Sequence, residues 1–224
     1  MLFNHVHLDR EVPKLQQLNE SGTRYYVTPE GNKYPSITTV LAAYNIGYIM
    51  EWRKRVGEEE ANKISQKASG RGTRIHTLCE QYIDNKAPSF KSLLDQELFN
   101  KFKPTLRRIN NVYAQELRMY SDHLRIAGTV DCVAEFDGIL SVIDFKTAKR
   151  AKNKEDIENY FMQCSAYAIM FEEQFKIPVA QTVVAIAVDE EEPQVFIERR
   201  NTYVKRLIYF RDLYEKKNAK PISN

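Results

Sequence analysis

The residue pattern predicts an α+β fold of the α/β kind, a central mixed β-sheet flanked by helices, with a helical elaboration on its N-terminal side. Three observations carry this. Asp137-Gly138, set between two strand-like runs, is the strongest short-range hairpin signal, because both central residues of a type I′ turn need φ > 0. Thr182 to Val188 is a continuous apolar run of strand length, which suits a strand buried on both faces. The remaining periodicities arrange themselves as helix, three strands, helix, strand, with extra helices gathered before them. At 224 residues and 43% hydrophobic, the chain is long enough for one sizeable core. A single domain over 1–224 is expected: 1–112 an N-terminal hairpin and helices, 113–200 an αβββαβ core, 201–224 a C-terminal helix.

Taken in order, Thr23 to Val27 reads as a short strand, Pro29-Glu30-Gly31-Asn32 as a turn and Lys33 to Pro35 as the returning strand. Ser36 can cap a helix from Ile37 to about Tyr44. Tyr48 to Lys67, of mixed charge and with few breakers, suits a surface helix that Gly70-Arg71-Gly72 ends. Beyond it Ile75, Leu78, Cys79, Tyr82 and Ile83 share one helical face. A further helix covers Ser92 to Asn111, bent or restarted at Pro104. Glu116 to Tyr120 is the first sheet strand, followed by Gly128 to Phe136 and Ile139 to Phe145. Asn153 can cap a helix that turns Ile157, Tyr160, Phe161, Cys164, Ala168, Phe171 and Phe175 toward the core. Gln194 to Glu198 is an edge strand, and Tyr203, Leu207, Phe210 and Tyr214 stripe a last helix, Thr202 to about Lys216.

The hairpin is the chemically informative part. With Asp137-Gly138 as its loop, Phe136 pairs with Ile139, Val133 with Val142 and Asp131 with Asp144, and alternation brings Asp131, Asp144 and Lys146 out on one side of the sheet. Like charges directly opposite each other are destabilising. The flanking Val130, Cys132, Val133, Val142, Ile143 and Phe145 are apolar on both faces, so the acids are covered, and covered charge is costly unless paired or metal-bound. A divalent cation shared by the carboxylates, beside the Lys146 ammonium, makes a site for metal-assisted hydrolysis of a phosphodiester. The plainer alternative is a polar hairpin with Asp144 and Lys146 solvated at a strand end.

Bulk charge says little about a partner: 33 basic against 30 acidic residues leave a net +3. Local clusters say more. Arg53, Lys54, Arg55, Lys63, Lys67, Arg71 and Arg74 precede the proposed site, and Lys149, Arg150, Lys152 and Lys154 follow it. Such runs serve equally as solvated helix faces or as phosphate contacts. Cys79, Cys132 and Cys164 are odd in number, without zinc spacing or a disulfide framework, and read as buried thiols of a reducing compartment. No apolar run reaches membrane-spanning length and no secretory or transit signal opens the chain, so a soluble cytoplasmic protein of a bacterial or phage-infected cell is expected.

Gly128 to Asp131, G-x-x-D, followed by Ile143 to Thr147, I-D-F-K-T, resembles the active-site core of the PD-(D/E)xK nucleases, with their restriction-endonuclease-like fold, in the RecB-like branch. His76 in GRGTRIHTLCE, the Gln163 and Tyr167 pair in a Q-x-x-x-Y arrangement, the hairpin spacing and the core order match that branch. Tyr34 to Leu41, YPSITTVL, then Trp52 with its basic cluster, and the VVAIAVD strand are similar to the exonucleases that maintain mitochondrial genomes and their phage and bacterial kin. The resemblance runs from about Tyr34 to the last helix. Two departures stand out: Val130-Asp131 occupies the nominal Pro-Asp, and the four cysteines that hold an iron–sulfur cluster in some relatives are absent.

The resemblance implies a Mg²⁺-dependent deoxyribonuclease, Mn²⁺ substituting, that hydrolyses phosphodiester bonds from DNA ends in replication, recombination or repair. His76 would then join Asp131, Asp144 and the Phe145 carbonyl as a metal ligand, although a lone helical histidine is more often structural. Glu80, one turn on, is a candidate to orient its ring, and Glu116 a further acid that a solvated strand end would also explain. Lys146 would orient or deprotonate the attacking water. Gln163 and Tyr167 share a helix face over the site and help position the strand being cut. Arg71, Arg74 and Thr147 complete the nucleic-acid contacts; the arginines sit by a glycine-flanked helix start, where Thr73 could simply be the N-cap. Single-stranded DNA is the favoured substrate, because Tyr44, Tyr48 and Trp52 could line a passage where rings stack on bases, though they serve equally as core. A structure-selective endonuclease and a noncatalytic nucleic-acid-binding module remain the alternatives.

Overall fold

The structure, a computed structural model, describes residues 2–218. Three short strands open it, β1 (Gln16–Glu20), β2 (Thr23–Val27) and β3 (Lys33–Pro35), antiparallel in that order. β1 has no counterpart in the sequence reading because QQLNE lacks apolar alternation; its backbone pairing with β2 alone makes it a strand. Ser36 caps α1 (Ile37–Leu41) by accepting from the Thr39 amide at 3.1 Å, and a 3₁₀ turn, Ala42–Tyr44, continues it.

The next helices differ from expectation. α2 (Ile46–Val56) ends at Gly57, whose φ of 90° is the left-handed region glycine reaches without strain. α3 (Glu58–Ile83) then runs unbroken through Gly70 and Gly72. Each interior glycine costs about 1 kcal/mol against alanine, less than the buried face of Ile75, Leu78, Cys79 and Ile83 returns at its C-terminal half. Ion pairs from Arg71 to Asp189 and from Arg74 to Asp95 also fasten the helix on both sides of the second glycine. Thr73 is therefore mid-helix, its hydroxyl donating back to the Ser69 carbonyl at 3.1 Å, and caps nothing.

α4 (Leu93–Leu106), capped by Ser92, passes through Pro104 without restarting and ends well before Asn111. The first sheet strand, β4 (Ile109–Ser121), consequently begins at Ile109 and not at Glu116. β5 (Ile126–Phe136) and β6 (Ile139–Ala148) form the hairpin, with φ of 50° at Asp137 and 80° at Gly138 as its turn demands. Asn153 makes no side-chain cap; a 3₁₀ turn, Lys154–Ile157, leads into α5 (Glu158–Phe175). β7 (Gln181–Val188), β8 (Gln194–Arg199) and α6 (Val204–Asn218) follow, and the expected C-terminal element continues past the described residues.

The sheet order is β4-β5-β6-β7-β8, antiparallel except for β6 and β7, which run parallel across the α5 crossover. β7, buried from Thr182 to Val188, is its two-faced interior strand. One face packs on α1, α5 and α6 through residues such as Val142, Val184, Phe161 and Phe171. The other packs on α3 and α4 through Ile143, Phe145, Ile75 and Phe102. No described helix is long and apolar enough to cross a membrane.

Two features of this packing position the site. The β5–β6 ladder follows the expected register, Phe136 with Ile139 and Val133 with Val142, but stops at Cys132–Ile143, one pair short of Asp131 and Asp144. Gly128, on the same strand, lies under the buried Tyr167 phenol. A Cβ there would sit 2.7 Å from Tyr167 Cε1, 2.9 Å from its hydroxyl and 3.2 Å from Ile37 Cγ2. Gly128→Ala should therefore lower stability by about 1–3 kcal/mol through overpacking. Gly72→Ala, whose new Cβ would meet Thr147 Oγ1 at an ordinary 3.7 Å, should be neutral or stabilising. Thermal unfolding of the two variants compares them directly, and equal melting temperatures would refute the steric account.

Candidate active site

Where β5 and β6 part, the side chains of five elements converge. Asp144 of β6 is 1% exposed. Its Oδ1 accepts from Gln163 Nε2 at 3.1 Å, while the Lys146 ammonium forms an ion pair with Oδ2, an oxygen that no donor meets in hydrogen-bond geometry. Burial pushes the Asp144 carboxyl up to about 6, the Lys146 charge opposing and the Asp131 charge adding to the rise. For Lys146 burial acts downward, but the carboxylates of Asp144 and Asp131 outweigh it and hold the ammonium above the usual lysine range.

Asp131 of β5 is tied across the gap, its Oδ2 accepting from the Phe145 amide at 2.8 Å. The same oxygen lies 3.6 Å from His76 Nδ1. His76 itself is brought in by α3, and its Nε2 meets the Phe145 carbonyl oxygen. A carbonyl can only accept, so Nε2 carries the hydrogen of that contact. Glu116, on β4, completes the group. It is flanked in register by Gln115–Cys132 and Leu117–Val130, which brings it alongside Asp131. Ligand atoms of His76, Glu116 and Asp131 all lie within 4.8 Å of one another. Burial and the Asp131 charge push the Glu116 carboxyl up to about 7. Glu116 thus joins the cluster from a solvent-exposed position, and it holds a φ of 47°, uncommon for a non-glycine residue and costly unless its surroundings enforce it.

The cluster opens into a cleft of about 320 Å³ lined by Gly72, Thr73, His76, Thr77, Glu80 and Glu116. Glu80 shares that lining without a hydrogen bond to the His76 ring among the described contacts. Gln163 joins Asp144 to the Tyr167 hydroxyl, 3.4 Å away, and Tyr167 is only 3% exposed. Tyr167 therefore supports Gln163 from behind and offers substrate no surface. Arg71 and Arg74 are not beside a helix start, and their guanidinium groups are engaged by Asp189 and Asp95, so neither is an open phosphate fork in this structure. Thr147 is half-buried, with its hydroxyl against Gly72 of α3. Of the proposed stacking aromatics, Tyr44 packs edge-on against Phe210 at 5.5 Å, Trp52 is half-buried and Tyr48 is 72% exposed. Tyr160, assigned to the core by its sequence spacing, does pack against it, and its ring also lies beneath the Lys146 ammonium, 5.0 Å from Nζ to the centroid.

The donor set of carboxylates, a backbone carbonyl and one imidazole fits a hard divalent cation better than zinc. One detail of the site asks for such a charge: carboxylate oxygens of Glu116 and Asp131 and a ring nitrogen of His76 all lie within 4.8 Å of one another.

A human protein, mitochondrial genome maintenance exonuclease 1, is 26% identical over 132 residues, covering 54% of this chain and 38% of its own. Its mouse counterpart is 25% identical over 134 residues, covering 54% and 39%. The matched segment thus spans well under half the length of these curated relatives. A solved structure of a candidate exonuclease from Eubacterium rectale superposes with a TM-score of 0.48 at 11% identity over 67% of this chain and 65% of that one. The profile of the PD-(D/E)XK nuclease superfamily matches residues 96–218, over half of the sequence and including β4 to α6 with Asp131, Asp144 and Lys146. The chain belongs to the PD-(D/E)XK nuclease superfamily.

Proposed function

We propose that this chain is a Mg²⁺-dependent deoxyribonuclease that hydrolyses phosphodiester bonds from DNA ends, single-stranded ends above all, and that residues 1–224 act as one catalytic unit. The observation that carries the reading is the meeting of His76, Glu116 and Asp131, next to the buried Asp144–Lys146 pair, at the parting of β5 and β6. Asp131, Asp144, the Phe145 carbonyl and His76 would hold the cation, with Glu116 as a further acid; Mn²⁺ would substitute. The cation supplies Lewis acidity toward the scissile phosphate and lowers the pKa of bound water. Gln163 fixes the Asp144 carboxylate by its amide, and Tyr167 fixes Gln163. Lys146 presents positive charge to the phosphate oxygens as negative charge grows on them.

The single-strand reading draws on α2, which buries no residue and carries Arg53, Lys54 and Arg55 together with the exposed Tyr48, an arrangement suited to bases on a ring and phosphates on cations. A role in replication, recombination or repair comes by analogy with the named relatives. The cytoplasmic reading rests on three buried free thiols. A structure-selective endonuclease on the same scaffold is the second reading, because the cleft at His76 and Glu116 is open and nothing in its lining requires a free end.

Linear and circular single-stranded DNA, each with Mg²⁺ or with chelator, separate these readings. Consumption of the linear form alone is expected, with Mg²⁺ only; cleavage of the circle would favour the endonuclease. Asp144→Asn should lower the rate on the order of a thousandfold while DNA binding persists. Undiminished digestion by that variant would remove the site from contention.

Glu116 offers a test that needs no DNA. Its folded value of about 7 lies above the ordinary 4.5, so the folded chain binds more protons than the unfolded one between those values, and stability falls as pH rises through that window. With metal chelated, Glu116→Gln should melt close to wild type near the bottom of the window and above it at higher pH. Added Mg²⁺ should raise the wild-type melting temperature more than the variant's. Parallel melting curves across the window would show that Glu116 carries no such repulsion.

A further inference from the structure

The Lys146 ammonium is bounded on two sides. Asp144 Oδ2 stands on one. On the other is the Tyr160 ring, whose centroid is 5.0 Å from Nζ, inside the range in which a cation is attracted to an aromatic face. Lys146 keeps 21% of its side chain exposed. An ammonium has three N–H donors. With the carboxylate and the ring on two sides, the remaining donor capacity lies on the exposed side.

Tyr160 is part of a stripe. Tyr160, Gln163 and Tyr167 stand at i, i+3 and i+7 of α5 and so share a helix face. Each meets the site at a different level: the ring lies under Lys146, the Gln163 amide reaches Asp144, and the Tyr167 phenol fills the space above Gly128. Among the described contacts the Tyr160 hydroxyl makes no hydrogen bond, so the contribution of this residue to the site is its π face. The surroundings are half-buried, where a cation–π contact is stronger than at an exposed surface.

We infer that Tyr160 is a positioning residue for Lys146: its ring face holds the ammonium beside Asp144 and leaves the exposed side of the ammonium to the phosphate to be cut. The inference rests on the nuclease reading above for its effect on rate, but not for the contact itself. Without the ring, the flexible four-carbon stem of Lys146 would let the ammonium swing away from its place beside Asp144.

The test compares Tyr160→Leu, which keeps apolar volume without a π face, with Tyr160→Phe, which keeps the face without the hydroxyl. Kinetics on linear single-stranded DNA with Mg²⁺ should show kcat lowered about tenfold in Tyr160→Leu with KM little changed, and most of the rate restored in Tyr160→Phe. In parallel, NMR of the metal-free proteins reads the Lys146 side-chain methylene protons. They should be shifted upfield by the ring current in wild type and in Tyr160→Phe, and should return toward ordinary lysine positions in Tyr160→Leu, with melting temperatures recorded to exclude unfolding.

A full rate in Tyr160→Leu overturns the inference. So does an equal loss in both variants, which would assign the effect to the hydroxyl, and so does a loss confined to KM, which would place Tyr160 against the substrate. Absence of the ring-current shift in wild type overturns it independently of any activity. If the upfield shift follows the ring but wild-type protein cuts no DNA, the nuclease reading fails and the contact stands.

Discussion

Repulsion among carboxylates is the constraint around which this structure is arranged. Glu116, Asp131 and Asp144 come from three neighbouring strands, Glu116 meeting Asp131 from an exposed position and Asp144 from a buried one, and desolvation with the Asp131 charge pushes both of those partners above the ordinary acid range. A ladder continuing through Asp131 and Asp144 would set those carboxylates face to face on one surface of a sheet covered by helices on both sides. Instead the pairing stops at Cys132–Ile143, and the freed Phe145 amide turns to Asp131 as a hydrogen-bond donor. The backbone group released by parting the strands thus becomes a ligand for the charge that parts them, so that opening the seam costs no unsatisfied amide.

The opening is held from both sides of the sheet. α3 enters on one face with His76, on a helix whose lower half is anchored in the core by Ile75, Leu78, Cys79 and Ile83. α5 enters on the other with Gln163, and its position is fixed by the crossover that makes β6 and β7 parallel and by the contact of Tyr167 with Gly128. Neither helix could be withdrawn without exposing a large apolar face, and each polar side chain at the seam is therefore carried by an element whose place is decided elsewhere. Such placement on rigid supports is what lets charged groups be kept near one another against their repulsion.

Much of this was legible in the sequence, and the reasons for the exceptions are physical. The hairpin is written in turn chemistry that few residues satisfy, and its register follows from Asp137-Gly138 alone, so the adjacency of Asp131, Asp144 and Lys146 could be read directly. β7 is written in six consecutive apolar residues, Val183 to Val188. Helix continuity is written far less clearly: the glycines of α3 weaken it locally by an amount that tertiary packing overrides, and with the helix unbroken Arg71 and Arg74 lose the exposed helix start that made them phosphate candidates. Tyr160 was hidden by its company. It lies beside Phe161 and one turn from Cys164, both fully buried, and the boundary between a buried helical stripe and the flank that meets a site is a rotation of one residue.

Glu116 shows most clearly how position can be created without a strong local signal. At the turn end of β4 the pairs Ile109–Phe136 and Asn110–Glu135 set a register which, continued unbroken, would place Ala114 beside Asp131. Two shifts intervene, between Asn110 and Val112 and between Val112 and Ala114, and each inserts one extra residue on the β4 side. Together they advance the strand by two positions. The inward or outward sense of every later side chain is preserved, because two single-residue slips cancel in alternation, but the residue brought to Asp131 changes from an alanine to a glutamate. The only trace in the sequence is Asn111, whose φ of 41° uses the tolerance of asparagine for left-handed backbone. An edge strand can accept such irregularity because one of its sides pairs with no other strand of the sheet. The third carboxylate of the site is therefore delivered by the least regular strand of the sheet, and the acid cluster and the defects in β4 are one structural fact.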